Sequence, residues 1–304
     1  MTRKPNIFFV GAAKSGTTAL TSYLDQHPDI FAVKEPHYFG RDLVRPNFKL
    51  PTLEEYESIF AEAADTAILC DASVFYLYSK TAAQEIKDYN PDARIIIQLR
   101  NPLDVLPSHH SQVVFEGGEP ITDFEEALAA EKDRREGRRM PDFQWALTLL
   151  YMDFVRFSEQ AERYLNVFGP ENVLIHLYDD FRRDTLGVYR KTLEFIGADP
   201  TFVPEISVVN ANKVMRSPKL MRMVREPAPW ISVPARMLIP LRLRDIIKDK
   251  VRRANTKFVP RDTMTPELKA KLRAELRPEI DRLGALLGRD LSHWYDPEKA
   301  TKAA

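Results

Sequence analysis

The sequence predicts an α/β fold in which a central parallel sheet is flanked by helices. Short apolar runs rich in branched side chains alternate with longer amphipathic stretches. Because each run is apolar throughout, it suits a strand covered on both faces, which is typical of parallel sheets. The alternation of strands and helices predicts right-handed crossovers. The predicted strands are 7–10, 67–70, 95–99 and 173–177, with weaker extended candidates at 30–33 and 76–78.

The amphipathic stretches between the apolar runs predict the helices. No internal repeat or low-complexity segment divides the chain of 304 residues. Residues 1–304 are therefore predicted to form a single domain, although the length is above the usual domain size. The predicted helices are 17–27, 52–64, 80–90, 103–115, 124–136, 144–168, 182–196 and 266–287.

Composition and charge exclude several classes of function. The 44 basic and 44 acidic side chains cancel, so no overall positive field draws the chain to nucleic acid. A single cysteine, Cys70, excludes an intramolecular disulfide framework and a cysteine-based zinc site. No apolar run approaches the ~18 residues of a membrane span, and no signal peptide is recognisable. The expected location is the cytoplasm.

One segment departs from this balance. Residues 213–257 contain thirteen Lys or Arg and only three acidic side chains, together with prolines at 227, 229, 234 and 240 among others. The prolines forbid one long straight helix, so the segment is predicted to form a basic helical lobe near the C-terminus. Three interpretations stay open: a solvated basic surface, a lid over an anionic ligand, and a peripheral contact with a membrane surface.

The turn after the first strand carries the strongest chemical signal. Residues 11–18 read Gly-Ala-Ala-Lys-Ser-Gly-Thr-Thr and lead from an apolar strand into a helix. Such a turn leaves backbone N–H groups unpaired at a helix N-terminus, where the helix dipole favours negative charge. Lys14 can point its ammonium at a bound anion, and Thr17 and Thr18 can add hydroxyl donors. The turn therefore predicts a phosphate or sulfate site.

This phosphate loop differs from that of a kinase or ATPase. Gly11 and Gly16 have the spacing of a Walker A motif, but Thr17 stands at the lysine position. The strand 95–99 is followed by Arg100, where a Walker B motif would place a magnesium-binding aspartate. These departures favour a P-loop-like site for a donor that needs no Mg²⁺. An atypical P-loop kinase or NTPase and a non-catalytic nucleotide-binding protein stay as alternatives.

A second anion site is predicted at Arg100. This residue ends a buried strand at the carboxyl edge of the sheet, where open α/β folds bind ligands. Its guanidinium suits bidentate binding of phosphate. Pro102 fits the first turn of the next helix, which would carry the Ser108 hydroxyl to the same anion.

Together, residues 14–18 and 100–108 resemble the two nucleotide motifs of the sulfotransferases that use 3′-phosphoadenosine 5′-phosphosulfate (PAPS). That resemblance implies a sulfotransferase of the EC 2.8.2 type that releases 3′,5′-ADP, and it places Tyr178 near the adenine. It implies that the 5′ end of PAPS is held by Lys14, Ser15, Gly16, Thr17 and Thr18, and the 3′-phosphate by Arg100 and Ser108.

Residues 33–39, Val-Lys-Glu-Pro-His-Tyr-Phe, are similar to the Glu-x-His-Phe-Phe stretch of the carbohydrate and heparan sulfate sulfotransferases. The similarity implies that Glu35 is the general base of a metal-independent in-line transfer. It leaves His37 as a neighbour that orients the substrate or as the alternative base, while Lys14 stabilises the leaving phosphate. No set of convergent ligands for a metal is recognisable, and the pair His109-His110 faces in different directions on a helix.

The acceptor is less well defined. Residues 71–76 resemble the Glu-Lys-Thr-Pro-x-Tyr stretch of the heparan group, but Ala72 replaces the lysine and Val74 the proline. Gly40 also stands where that group carries an acidic residue. These departures argue against a sulfated polysaccharide and leave a small-molecule, lipid-linked or sugar hydroxyl, or an amine, as the acceptor. Asp71 is expected to line the cleft.

Overall fold

A computed structural model describes residues 4–64, 67–206, 213–215, 256–258 and 264–296. Its central strands are β1 (Ile7–Gly11), β2 (Ile30–Lys34), β3 (Ile68–Ala72), β4 (Arg94–Leu99) and β5 (Val173–Leu177). They form one sheet in the order β2-β3-β1-β4-β5, and every neighbouring pair is parallel. The predicted parallel sheet is confirmed, including the weaker candidate at 30–33.

Helices cover both faces of this sheet. A short antiparallel pair, β6 (Lys213–Met215) and β7 (Thr256–Phe258), is separate from it. The helices are α1 (Thr17–Leu24), α2 (Leu53–Ser58), α3 (Ala82–Tyr89), α4 (Pro102–Glu116), α5 (Phe124–Ala129), α6 (Glu131–Arg135), α7 (Tyr151–Phe154), α8 (Phe157–Phe168), α9 (Tyr178–Arg183), α10 (Thr185–Ile196) and α11 (Pro266–Leu287).

The alternation of side chains along β1 and β4 divides the core into two layers. Phe8, Ile95 and Ile97 point to one face, where they pack with residues of α3, α4, α8 and α11. Phe9 and Ile96 point to the opposite face and pack with α1 and α10. All five side chains are fully buried, as expected for central parallel strands covered on both sides.

Four predicted elements are wrong in detail. The helix predicted over 52–64 ends at Ser58, and the one over 124–136 is divided into α5 and α6. The stretch 144–168 is broken into a 3₁₀ turn, α7 and α8 rather than one helix.

The extended candidate 76–78 is a turn, in which the Leu77 amide donates to the Val10 carbonyl at 2.8 Å. The Tyr76 hydroxyl donates to Asp71 in β3 at 3.1 Å. This contact requires the chain to fold back after β3, so residues 76–78 do not continue that strand.

The basic segment 213–257 lies outside the described residues, apart from the backbone of β6 and the first part of β7. The lobe and the single domain over 1–304 therefore stay predictions. Within the described ranges, no helix combines the length and the apolar character that a membrane span needs.

Candidate active site

The predicted site residues gather at one edge of the sheet. Lys14 follows β1, Glu35 follows β2 and Arg100 follows β4, and Ser73, which was not predicted, follows β3. Tyr178 follows β5 as the first residue of α9. Because all five strands are parallel, their carboxyl ends meet at the same edge, which is where ligands bind in open α/β sheets.

The phosphate loop is closed by Gly16 and packed tightly against its neighbours. Gly16 is the N-cap of α1 with φ +86°, and no side chain caps this helix. A Cβ atom on Gly16 would lie 2.8 Å from Tyr178 Cε2 and 2.9 Å from Gln98 Nε2, so only glycine fits. Gln98 Nε2 donates to the Ser15 carbonyl at 2.5 Å and thereby fixes the loop to β4.

The second anion site centres on the guanidinium of Arg100, which is oriented from three sides. Its Nη1 donates to the Lys14 carbonyl at 3.4 Å and its Nη2 to Asp104 at 3.1 Å. The guanidinium carbon lies 4.7 Å from the centre of the Tyr178 ring. Ser108 is buried on α4, and no hydrogen bond between it and Arg100 occurs among the described residues.

Two buried donors of these sites have no partner among the described residues, Ser15 Oγ and Arg100 Nε, and the Gln98 Oε1 acceptor has none either. A buried donor left without an acceptor costs free energy, so both groups are suited to the oxygens of an anionic ligand. The uncapped N-terminus of α1 offers further amides to the same kind of ligand. In the same loop, Thr17 is buried and Thr18 is exposed. These groups fit a ligand that carries two separate phosphates.

A chain of polar side chains on α4 links the phosphate loop to the predicted base. Lys14 Nζ donates to Gln112 Oε1 at 3.3 Å, and Gln112 Nε2 donates to Glu116 Oε1 at 2.6 Å. The charge of Glu116 in turn contributes to raising the pKa of Glu35. Lys14 and Glu35 are therefore both coupled to side chains of α4, Lys14 by hydrogen bonds and Glu35 by the charge of Glu116.

Glu35 and His37 are in direct contact, with Glu35 Oε2 3.0 Å from His37 Nε2. Burial raises the pKa of Glu35 to about 8, and the charge of the neighbouring Asp71 adds to the effect. The Glu35 side chain nevertheless exposes 41% of its surface to solvent. Burial lowers the pKa of His37 to about 4, since its ring lies 4.6 Å from that of Trp145. At neutral pH the His37 imidazole is therefore uncharged, and Glu35 is the member of the pair that gains or loses a proton near that pH.

Other expectations hold only in part. Asp71 is fully buried and does not line the cleft, because three hydroxyl groups surround its carboxylate. His109 and His110 contact the carbonyls of Thr148 and Ile121, respectively, in agreement with their different directions.

Several residues of the site were not predicted from the sequence, among them Gln98, Gln112 and Glu116. Gln98 is fully buried and is a polar residue within an otherwise apolar stretch of β4, which is a signal that could have been used. Gln112 and Glu116 carry no such signal, because they look like ordinary surface residues of a helix.

Comparison with known proteins decides the family. The family model of the sulfotransferase domain matches residues 4–284. The chain belongs to the sulfotransferase family. It is 26% identical over 212 residues to human heparan sulfate glucosamine 3-O-sulfotransferase 6, a match that covers 69% of this chain and 57% of the relative. It is also 26% identical over 211 residues to human bifunctional heparan sulfate N-deacetylase/N-sulfotransferase 3, covering 66% of this chain and 23% of that protein.

The structure agrees with that of another sulfotransferase. The crystal structure of a sulfotransferase from Alicyclobacillus acidocaldarius superimposes with a TM-score of 0.72 and 29% identity, covering 97% of this chain and all of the other. The chain spans little more than half the length of the 3-O-sulfotransferase it matches. The predicted fold and the predicted sulfotransferase family are confirmed, and membership of that family decides against the kinase alternative.

Proposed function

We propose that this sulfotransferase moves a sulfuryl group from PAPS to a hydroxyl or amine of an acceptor, with Glu35 as the general base. The observation that carries the proposal is the pair of buried groups without partners, Ser15 Oγ and Arg100 Nε. They lie on neighbouring strand ends, β1 and β4, so a single ligand with two anionic groups can bind both. PAPS has this feature because it carries a 5′-phosphosulfate and a separate 3′-phosphate.

In this proposal the phosphate loop binds the 5′ end of PAPS and Arg100 binds the 3′-phosphate, with Ser108 on the helix that follows. We assign the adenine to the Tyr178 ring, which lies against both Gly16 and the Arg100 guanidinium and offers an aromatic surface for stacking. Such stacking is general in nucleotide recognition and needs no base-specific contact.

The chemistry follows from the charges on the two sides of the cleft. The acceptor oxygen forms a bond to sulfur while the bond from sulfur to the phosphate oxygen breaks, and 3′,5′-ADP leaves. Lys14 stabilises the negative charge that develops on the leaving phosphate. Glu35 takes the acceptor proton, and its raised pKa makes it a stronger base than an ordinary carboxylate. His37, with its lowered pKa, is the weaker base and orients Glu35 through the contact between their side chains.

The acceptor site that we propose is partly apolar and suits a neutral acceptor. Phe75 and Trp145 lie beside His37, with ring centres 5.4 Å apart. The charges that act on Glu35 from β3 and α4 are carboxylates, those of Asp71 and Glu116. A polyanionic polysaccharide would be repelled there, so we favour a small-molecule, lipid-linked or neutral sugar acceptor. We further propose that transfer occurs in the cytoplasm and needs no metal ion.

The donor is tested by calorimetric titration with 3′,5′-ADP in the absence of Mg²⁺. We expect micromolar binding, about 8 kcal/mol, and a loss of about ten- to a hundredfold in Arg100→Ala, because a hydrogen bond to a charged group contributes about 1.5–3 kcal/mol. Lys14→Ala should weaken binding as well. The matched control is Arg94→Ala, at the exposed opposite end of β4, where the side chain donates to the Phe195 carbonyl.

Binding of 5′-AMP, which lacks the 3′-phosphate, separates the two anion sites. Arg100→Ala should leave 5′-AMP binding unchanged, whereas Lys14→Ala should weaken it. No binding of 3′,5′-ADP by the folded wild type, or equal losses in Arg100→Ala and Arg94→Ala, would reject the proposal. Transfer of ³⁵S from labelled PAPS to a phenol, a neutral oligosaccharide, a glycolipid and a primary amine then identifies the acceptor class.

A further inference from the structure

A buried carboxylate lies directly beneath the segment that carries the proposed base. Asp71, near the end of β3, is fully buried, and each of its oxygens accepts hydrogen bonds from hydroxyl groups. Its Oδ1 accepts from Ser73 at 2.7 Å. Its Oδ2 accepts from Tyr56 at 2.8 Å and from Tyr76 at 3.1 Å. No cation pairs with this carboxylate among these contacts, so the three hydroxyl groups replace a counter-ion.

Two of the three hydroxyl groups also accept hydrogen bonds from the backbone of the base segment. The Tyr76 hydroxyl accepts from the amide of Tyr38 at 2.8 Å and from that of Phe39 at 3.3 Å. The Ser73 hydroxyl accepts from the amide of His37 at 3.0 Å. Because Asp71 takes the hydrogen of each hydroxyl, the lone pairs of both hydroxyl oxygens are directed at the amides.

The backbone of the base segment needs such support. Glu35 has φ +56° and His37 has φ +53°, both in the left-handed region that L-residues seldom adopt. Such conformations persist only where the surrounding structure imposes them, and they concentrate at functional sites. The Glu35 amide donates to the Ala72 carbonyl at 3.1 Å, which ties the start of the segment to the end of β3.

We propose that Asp71 is the positioning residue of the catalytic base: through Ser73 and Tyr76 it fixes the backbone at residues 37–39 and so sets the direction of Glu35 and His37 into the cleft. This inference rests on the proposed function, in which Glu35 is the base. Asp71 itself touches neither donor nor acceptor, because its carboxylate is enclosed.

The charge of Asp71 adds a second effect that an experiment can separate from packing. The ionisable groups that face Glu35 are Asp71 from β3, Glu116 from α4 and His37 from its own segment. Both carboxylates raise the pKa of Glu35. Removing the charge of Asp71 should therefore lower that pKa, so Glu35 stays ionised to a lower pH.

The test compares two buried tyrosines that each lose only a hydroxyl group. Tyr76→Phe removes the acceptor of the amides at residues 38 and 39. The matched control is Tyr164→Phe, because the Tyr164 hydroxyl is also buried and donates to the Tyr76 carbonyl at 2.8 Å, on the same turn. The measurements are kcat and KM for PAPS and the Kd of 3′,5′-ADP. Turnover is measured with whichever of the phenol, neutral oligosaccharide, glycolipid and primary amine accepts the sulfuryl group best. If none does, hydrolysis of PAPS is followed as the release of ³⁵S sulfate.

We expect Tyr76→Phe to lower kcat at least tenfold and Tyr164→Phe to change it by less than twofold. Neither should change the Kd of 3′,5′-ADP by more than twofold, because the nucleotide groups follow β1, β4 and β5. Asp71→Asn should lower kcat and move the acidic limb of the pH profile to lower pH. Amide exchange at residues 38 and 39 should accelerate in Tyr76→Phe alone.

Equal losses of kcat in Tyr76→Phe and Tyr164→Phe would overturn the proposal, since the effect would then be general destabilisation. Wild-type kcat in Asp71→Asn, or an acidic limb that does not move in this variant, would also overturn it. Failure of the proposed function looks different. In that case the folded wild type does not bind 3′,5′-ADP, or it binds the nucleotide and transfers no sulfuryl group to any acceptor or to water.

Discussion

Adding one methyl group at Gly16 should break the contact between the phosphate loop and the rest of the nucleotide site. The new Cβ would lie 2.8 Å from Tyr178 Cε2 and 2.9 Å from Gln98 Nε2. Neither neighbour can move away without loss. Gln98 holds the Ser15 carbonyl through its amide, and the Tyr178 ring lies against the guanidinium of Arg100.

The expected destabilisation of Gly16→Ala has two parts. An alanine in the left-handed region costs about 1–2 kcal/mol relative to its ordinary conformation. Forcing an extra carbon into a packed site costs about 1–3 kcal/mol more. Gly137 isolates the first part, because it has φ +76° and a Cβ atom added there would meet no atom within 4 Å. Gly16→Ala should thus lower the free energy of unfolding by about 1–3 kcal/mol more than Gly137→Ala does.

Urea unfolding and calorimetric titration with 3′,5′-ADP provide the two measurements. Gly16→Ala should weaken 3′,5′-ADP binding at least tenfold, because relief of the clash displaces Ser15 or Tyr178. Gly137→Ala should bind like the wild type. If both variants lose the same stability, or if Gly16→Ala retains wild-type affinity, then the loop is not as tightly packed against β4 and α9 as the contacts indicate.

Two further predictions concern pH and stability. Because the pKa of Glu35 is raised to about 8, the kcat/KM of the wild type should fall as the pH drops through that value and the carboxylate takes a proton. Glu35→Gln should be nearly inactive and should show no such fall at acidic pH. This variant should still bind 3′,5′-ADP normally. In Arg134→Met, the buried partner Glu119, 2.8 Å away in the native ion pair, would be left as an unpaired charge. This should cost about 3–5 kcal/mol in urea unfolding, and a loss below about 1 kcal/mol would show that the ion pair contributes little.

The fold could be predicted because its strands are continuous apolar runs. Phe8, Phe9 and Ile96 are fully buried on opposite faces of the sheet, and only a two-sided parallel strand requires apolar residues in succession. Pro102 likewise marked the start of α4, where it occupies the first turn after the N-cap Asn101. Such signals are local, so the sequence alone reveals them.

The contacts that organise the site could not be predicted because they join distant residues. The aromatic stretch 76–78 has a strand-like composition. The Tyr76 hydroxyl nevertheless donates to Asp71 and accepts from the amides of Tyr38 and Phe39, which lie far earlier in the chain. Composition carries no signal for either contact, whereas a buried polar residue in an apolar strand, such as Gln98, does.

The strand order also explains how one sheet edge can serve both halves of the proposed reaction. From β2 to β5 the strand ends present the base Glu35, the support of Ser73, the phosphate loop with Lys14, the guanidinium of Arg100 and the ring of Tyr178. Neighbouring strands lie ~4.8 Å apart, so β2 and β1 are separated by roughly 10 Å. In the proposed reaction, this separation of the strand ends leaves room for a sulfuryl group and an acceptor oxygen between Glu35 and the leaving phosphate. An order that placed β2 beside β1 would bring Glu35 too close to Lys14, and an ion pair would form in place of a reaction site.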